Sequence, residues 1–177
     1  MVWTYRGTFD DIAKGKAATE AMLAQGAGLI YNVAGPLGIG DLEAITENLE
    51  AQGKSAGPPF MIGVDANQDW MGDGHRVLAS MMKRVDFGTY SAIESVVNGT
   101  FEGGVKILGP NNGGIGMSGS QELADFINFG IGGGAISESD RGSITENWNA
   151  MRADIPGWIW DAVDELSSKT VSYTHLT

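Results

Sequence analysis

The chain has 177 residues, 42% of them hydrophobic, which supports one sizeable α/β domain with a real core and argues against two full domains. Its 22 acidic and 11 basic side chains leave a formal charge of −11, a surface that repels phosphate backbones and anionic headgroups, so nucleic acid is not an expected partner. Without cysteine there is no disulfide, thiolate metal site or thiol nucleophile, and no apolar run approaches the ~18 residues of a membrane span.

The opening MVWTYRG lacks the basic segment and apolar stretch of a signal peptide, so any export signal is expected upstream of this chain. Val2 to Tyr5 reads as a short strand closed by Gly7. Asp10 and Asp11 then offer N-caps, and Ala13, Ala17 and Ala21 recur every four residues up to Gly26, a stripe suited to lying close on a sheet. Leu29 to Val33 is the second expected strand. Leu42, Ile45 and Leu49 mark a helix ended by Gly53, and Phe60 to Val64 is the third strand. Returns of about thirty residues through a helix predict parallel strands in βαβ units, with helices on the faces.

Beyond Val64 the pattern is less regular. Val77 to Met82 is a candidate fourth strand, and Asp86 to Asn98 a helix with Tyr90, Ile93 and Val97 inward. Val105 to Leu108 and Ile115 to Met117 flank PNNGG and predict a hairpin. Leu123 to Phe129 suits a short helix, Gly130 to Gly142 a mobile loop, and Ile159, Val163 and Leu166 a final amphipathic helix with Pro156 near its first turn.

The loop within LIYNVAGPLGIGDLEA, Leu29 to Ala44, superficially suits a dinucleotide. Gly35, Gly38 and Gly40 give G-x-x-G-x-G, however, where the fingerprint needs G-x-G-x-x-G, and Glu43 stands in place of the third glycine of a partial match. What survives is positional. This loop leaves the carboxyl end of a parallel strand, Asp65 ends the next one, and ligands of open α/β sheets bind along that edge. A carboxylate there can accept two hydrogen bonds from a vicinal diol, which suits a ribose or another sugar.

Catalytic constellations do not assemble. His75 is the one histidine outside the C-terminal tail and reads as a surface loop residue, and GMSGS at Gly116 to Ser120 lacks the final glycine of a nucleophile elbow. Asp10 and Asp11 read as capping acids, and Asn98-Gly99-Thr100 matches a glycosylation sequon of a kind common by chance.

Four stretches then carry a resemblance: YRGTFDDIAKGKAATEAMLAQGAGLIYNVAGPLGIG, IGVDANQDW, LASMMKRVD and FEGGVKILGPNNGGIGMS. In this order, over Val2 to Met117, the chain resembles the basic membrane protein family, the substrate-binding lipoproteins of ABC importers that include purine nucleoside receptors. The family usually has AGGTG where this chain has Gly35-Pro36-Leu37-Gly38, and VDSDQ where it has Val64-Asp65-Ala66-Asn67-Gln68. Both departures lie in ligand-facing loops and bear on ligand identity more than on fold.

The resemblance implies a three-layer, parallel-sheet, Rossmann-like second lobe of a type I periplasmic-binding-protein fold. Residues 1–82 would form that lobe, and residues 83–170 the hinge crossover near Lys83, segments returning toward an absent first lobe, and the C-terminal helix. Val171 to Thr177, VSYTHLT, resembles translated vector sequence. By resemblance Asp65 takes ribose hydroxyls, Lys83 reaches the same ligand, Gly35 lets the loop backbone approach it, and Val33 lines the pocket. Phe9 is the expected base-stacking aromatic, with Trp70 and Tyr31 behind it. The implied function is non-catalytic binding of a nucleoside or related sugar-bearing solute for an ABC permease. No cofactor is implied, and the membrane would be reached only through an upstream lipid anchor. An α/β enzyme using a ribose-bearing cofactor and a ligand-sensing regulator of the same fold are the alternative classes.

Overall fold

The computed structural model describes residues 1–173. Its elements are α1 (Ile12–Leu23), β1 (Leu29–Tyr31), α2 (Gly38–Ala51), β2 (Phe60–Asp65), β3 (Val77–Lys83), α3 (Val85–Val97), β4 (Ile115–Met117), α4 (Ser120–Gly132), α5 (Arg141–Ala153) and α6 (Gly157–Tyr173). The sheet order is β1-β2-β3-β4; β1, β2 and β3 run parallel and β4 is antiparallel to β3. In register, Leu29 faces Phe60, Asp65 faces Met82 and Lys83 faces Ile115.

Alternation along β2 and β3 divides the core between the two faces of the sheet. Met61 and Val77 point to one face, where they pack with Ile30 of β1 and with Ile45 and Leu49 of α2. Phe60 and Leu78, one residue out of step, point to the other and meet Leu123 and Ile127 of α4 and Ile144, Trp148 and Met151 of α5. Helices therefore cover both faces, the three-layer α/β arrangement that the sequence predicts. Each fully buried Leu or Ile contributes roughly 1.5–3 kcal/mol relative to exposure.

On the first face α1 rides on α2. Asp11 caps α1 by accepting the Lys14 N–H at 3.1 Å, as expected of a capping acid. The close side of α1 is Gly15, Ala18 and Thr19, whereas Ala13, Ala17 and Ala21 are exposed, so the alanine stripe faces solvent and the helix packs on α2. Gly40 makes that crossing possible, because a β-carbon on it would run into the Ile12 carbonyl oxygen. The interface is tied inside by the Thr19 hydroxyl, which donates to Asp41 Oδ1 at 2.8 Å, and outside by Lys16, which bridges Glu43 and Glu47.

Several expectations need correction. Residues 1–7 are exposed and unpaired, so Val2 to Tyr5 is not a strand; a short apolar run becomes one only where a neighbour takes its backbone groups. The third parallel strand is β3, reached from β2 through residues 66–76, a turn-rich connection without a helix. Of the predicted hairpin only Ile115–Met117 is a strand, and it pairs with β3, while Val105 to Leu108 stays unpaired. The PNNGG turn does form: Asn112 accepts the Gly109 N–H at 2.8 Å and donates to Ile107 O at 3.1 Å.

The Gly130 to Gly142 loop shrinks to a short link, because α4 runs through Gly132 and α5 starts at Arg141. That link is pinned by Ile136, which is buried among the α4 and α5 side chains. Helix α3 buries none of its residues, so Tyr90, Ile93 and Val97 face outward within this chain, whereas α4 and α5, also downstream of Asp86, pack on this sheet. Helix α6 continues through Tyr173, three residues into the tail Val171 to Thr177; residues 174–177 lie outside the described residues.

Candidate functional site

The carboxyl ends of β1, β2 and β3 bring three chain segments to one edge. Asn32, directly after β1, is 4% exposed and folds the following loop around itself: its Oδ1 accepts the Ala34 N–H at 3.0 Å and its Nδ2 donates to Gly35 O at 2.8 Å. Gly35 has φ +54, a left-handed conformation that a side chain would strain, and a β-carbon there would sit 3.7 Å from Asp65 Oδ2. Gly38 begins α2 hard against Asn32 and Met61. Gly38 and Gly40 thus serve the packing of α2 on strand and helix, which is why the loop looks like a dinucleotide fingerprint without its spacing.

Asp65 ends β2 with φ +70, one of two non-glycine residues in the left-handed region among the described residues. Such conformations cost roughly 1–3 kcal/mol and persist where surrounding structure holds them. Its carboxylate pairs with Lys83 at the end of β3, Nζ to Oδ1 at 3.0 Å, and both side chains stay more than half exposed. The edge therefore presents a carboxylate and an ammonium side by side, beside a glycine that leaves room above them. A diol can give its protons to the first and a ring or hydroxyl oxygen can accept from the second.

Behind Asp65 the loop is fixed to the sheet. Gln68 Oε1 accepts the Val64 N–H at 3.1 Å, Gln68 N donates to Ser80 Oγ at 2.9 Å, and Ser80 Oγ donates to Asp69 Oδ1 at 2.6 Å. Asp69 is fully buried. Burial pushes its carboxyl up, and the hydrogen bond from Ser80 with the nearby Arg152 charge pulls it back. Arg152 itself donates to Leu78 O at 2.7 Å and lies over the Trp148 and Trp160 rings, 4.5 and 3.9 Å from their centroids. Neither Asp69 nor Arg152 stood out in the sequence, where nothing links positions so far apart.

The remaining sequence candidates are placed as follows. Val33 is exposed on the loop after β1 and Tyr31 is half exposed at the end of that strand. Phe9 precedes α1 and is 65% exposed. Trp70 stacks on Phe126 at 6.1 Å and packs against the α4–α5 core, so its ring is occupied there. His75 is half-buried, with its pKa held down by burial and then by Arg76. No group of three His, Asp or Glu residues that could hold a metal occurs among the described residues. A cleft of ≈ 700 Å³ flanks the junction of β3 and α3, lined by Lys83, Arg84, Val85, Ile93, Lys106 and Leu108.

Comparison with known proteins agrees with this architecture. The Bmp family model, described as ABC transporter substrate-binding protein PnrA-like, matches residues 1–131. A lipoprotein of Pyrococcus horikoshii is 31% identical over 96% of this chain and 41% of its own length. The nucleoside-binding protein BmpA of an ABC transporter of Lactococcus lactis is 29% identical over 70% of this chain and 38% of its own. A crystal structure of an ABC transporter solute-binding protein from Aeropyrum pernix K1 superposes with a TM-score of 0.84, at 36% identity, over 98% of this chain and 46% of that one. The chain thus spans less than half the length of these relatives.

Proposed function

The chain belongs to the Bmp family of PnrA-like ABC transporter substrate-binding proteins, and from that premise we propose that it forms one lobe of a two-lobe receptor that closes on a nucleoside or related sugar-bearing solute. The family is one of solute-binding proteins, not enzymes. The observation that carries the nucleoside reading is the Asp65–Lys83 pair at the carboxyl edge, 3.0 Å apart and open to solvent. A strained, exposed aspartate is costly as mere structure, and its carboxylate and neighbouring ammonium match the donors and acceptors of a ribose.

In this reading Gly35 lets the loop after β1 approach the sugar, Val33 lines the pocket, and the exposed ring of Phe9 stacks on the base. Such stacking contributes roughly 1–3 kcal/mol per base. The partner is an ABC permease, and the receptor works outside the plasma membrane, held there by a lipid anchor. The lipoprotein relatives support that location, and no helix among the described residues is long and apolar enough to cross a membrane. Enclosure by a second lobe supplies most of the affinity, because an open edge buries little of a ligand. Calorimetric titration of a protein comprising both lobes with inosine, adenosine and free ribose tests the reading: a nucleoside should bind at least a hundredfold more tightly than ribose, and heat from none of them would reject it.

A further inference from the structure

We propose that Asp69, which does not reach the ligand edge, is the positioning residue that holds Asp65 where it can meet a ligand; this rests on the Asp65 edge being the binding edge. The inference starts from a hydroxyl with one proton. Ser80 Oγ gives that proton to Asp69 Oδ1 at 2.6 Å, which leaves its lone pairs to accept the Gln68 N–H at 2.9 Å. Without an acceptor at Asp69 the hydroxyl is free to rotate, and the anchor on Gln68 loosens.

Gln68 in turn brackets Asp65. Its backbone is fixed by Ser80 and its side-chain oxygen holds the Val64 N–H at 3.1 Å, while Ala66 N donates to Val64 O at 2.9 Å in the same tight turn. The residues on both sides of Asp65 are therefore tied down, which is what a non-glycine residue at φ +70 requires. Gly63 shows that this space is reserved for the network: a β-carbon there would sit 2.6 Å from Gln68 Oε1 and 2.8 Å from Ser80 Oγ.

The same hydroxyl residue reaches further. Ser80 N donates to Ser118 Oγ at 2.7 Å and Ser118 N to Ser80 O at 2.9 Å, so the end of β4 is joined to the network. Ser80, Ser118 and Asp69 are all essentially inaccessible to solvent. Asp69 Oδ2 makes no hydrogen bond among the described residues, so Oδ1 toward Ser80 is the polar contact that the buried carboxyl maintains from its side chain. An amide keeps that acceptor, whereas an aliphatic side chain of similar size removes it.

Amide hydrogen exchange on the 177-residue chain tests this directly. Ser80→Ala and Asp69→Leu should each speed exchange at Val64 and Gln68 by about tenfold, with Leu49 and Val77 unmoved, and Asp69→Asn should restore the unsubstituted rates. Uniform acceleration across the sheet, or no restoration by Asn, would overturn the positioning role. In the two-lobe protein, Ser80→Ala should weaken inosine by about tenfold while leaving 2′,3′-dideoxyinosine unchanged, and equal losses would also overturn it. If neither nucleoside binds the unsubstituted protein, the nucleoside reading falls, and the exchange pattern alone then supports or overturns the control of the loop by Asp69.

Discussion

Lys83 Nζ and Asp65 Oδ1 lie 3.0 Å apart across the ends of β3 and β2, with 62% and 51% of their side chains exposed. A pair so open to water contributes little to folding, under about 1 kcal/mol. Lys83→Ala should therefore leave the thermal midpoint of the chain within a few degrees of the unsubstituted value while weakening nucleoside binding in the two-lobe protein. A large drop in midpoint would make the pair structural.

Asp65 carries backbone strain at φ +70, and glycine adopts that conformation freely. Asp65→Gly should leave the chain as stable or more stable, with a gain of up to about 1 kcal/mol in chemical denaturation, although it removes the carboxylate. A clear loss of stability would show that the side chain holds the turn, contrary to a strained residue retained for binding.

Gly40 and α1 make the opposite case. A β-carbon on Gly40 would overlap the Ile12 carbonyl oxygen and come within 2.7 Å of Lys16 N, both backbone atoms that cannot swing aside. Gly40→Ala should cost about 1–3 kcal/mol by forcing α1 and α2 apart. Gly53→Ala meets no atom within 4 Å and strains only its own backbone at φ +67, so it should cost less.

The buried Asp41 makes stability depend on pH. Burial raises its pKa from the ordinary 3.8, against the Thr19 hydrogen bond. Between 3.8 and that raised value the unfolded chain has released a proton that the folded one retains, so this contribution is complete below 3.8 and is lost as pH rises through the folded pKa. Asp41→Asn keeps an acceptor for Thr19 and cannot ionise. Its thermal midpoint should match the unsubstituted chain at pH 3 and exceed it at pH 7, and an equal offset at both would contradict burial as the cause.

Much of this was legible in sequence wherever the signal was local. The apolar runs at Leu29 and Phe60 and the i, i+3, i+7 spacing of Leu42, Ile45 and Leu49 give β1, β2 and α2 directly, because each element meets its burial requirement with its own residues. Helix α5 was missed although Ile144, Trp148 and Met151 carry the same periodicity, since the glycine-rich stretch before it reads as a loop and the intervening residues are polar. Ile115 to Met117 reads as a strand from its own residues, but its partner is β3 and not Val105 to Leu108, an antiparallel edge that no local pattern states. At the site, Gly35 and Asp65 follow from strand ends, whereas the Gln68–Ser80–Asp69 chain and Arg152 depend on residues that meet only in the fold.

The outer face of α3 yields a further expectation. Tyr90, Ile93 and Val97 are 62%, 59% and 79% exposed, and Val105 and Ile107 nearby are barer still. Contiguous apolar surface of several hundred Å² is unusual on a monomer. If a first lobe covers this face, the isolated chain should bind an apolar dye or self-associate, and the first lobe added in trans should relieve both. A monodisperse chain that binds no dye would argue that nothing covers α3.

The proposed ribose contact of Asp65 is tested most directly by titrating a nucleoside and its 2′,3′-dideoxy analogue into the two-lobe protein and its Asp65→Ala variant. Two charge-assisted hydrogen bonds lost in a closed cleft should cost the nucleoside about 2–4 kcal/mol, a loss of roughly thirty- to a thousandfold. The dideoxy analogue, which lacks both donors, should bind the two proteins alike. Equal losses for the two ligands would mean that Asp65 shapes its loop and does not touch the sugar.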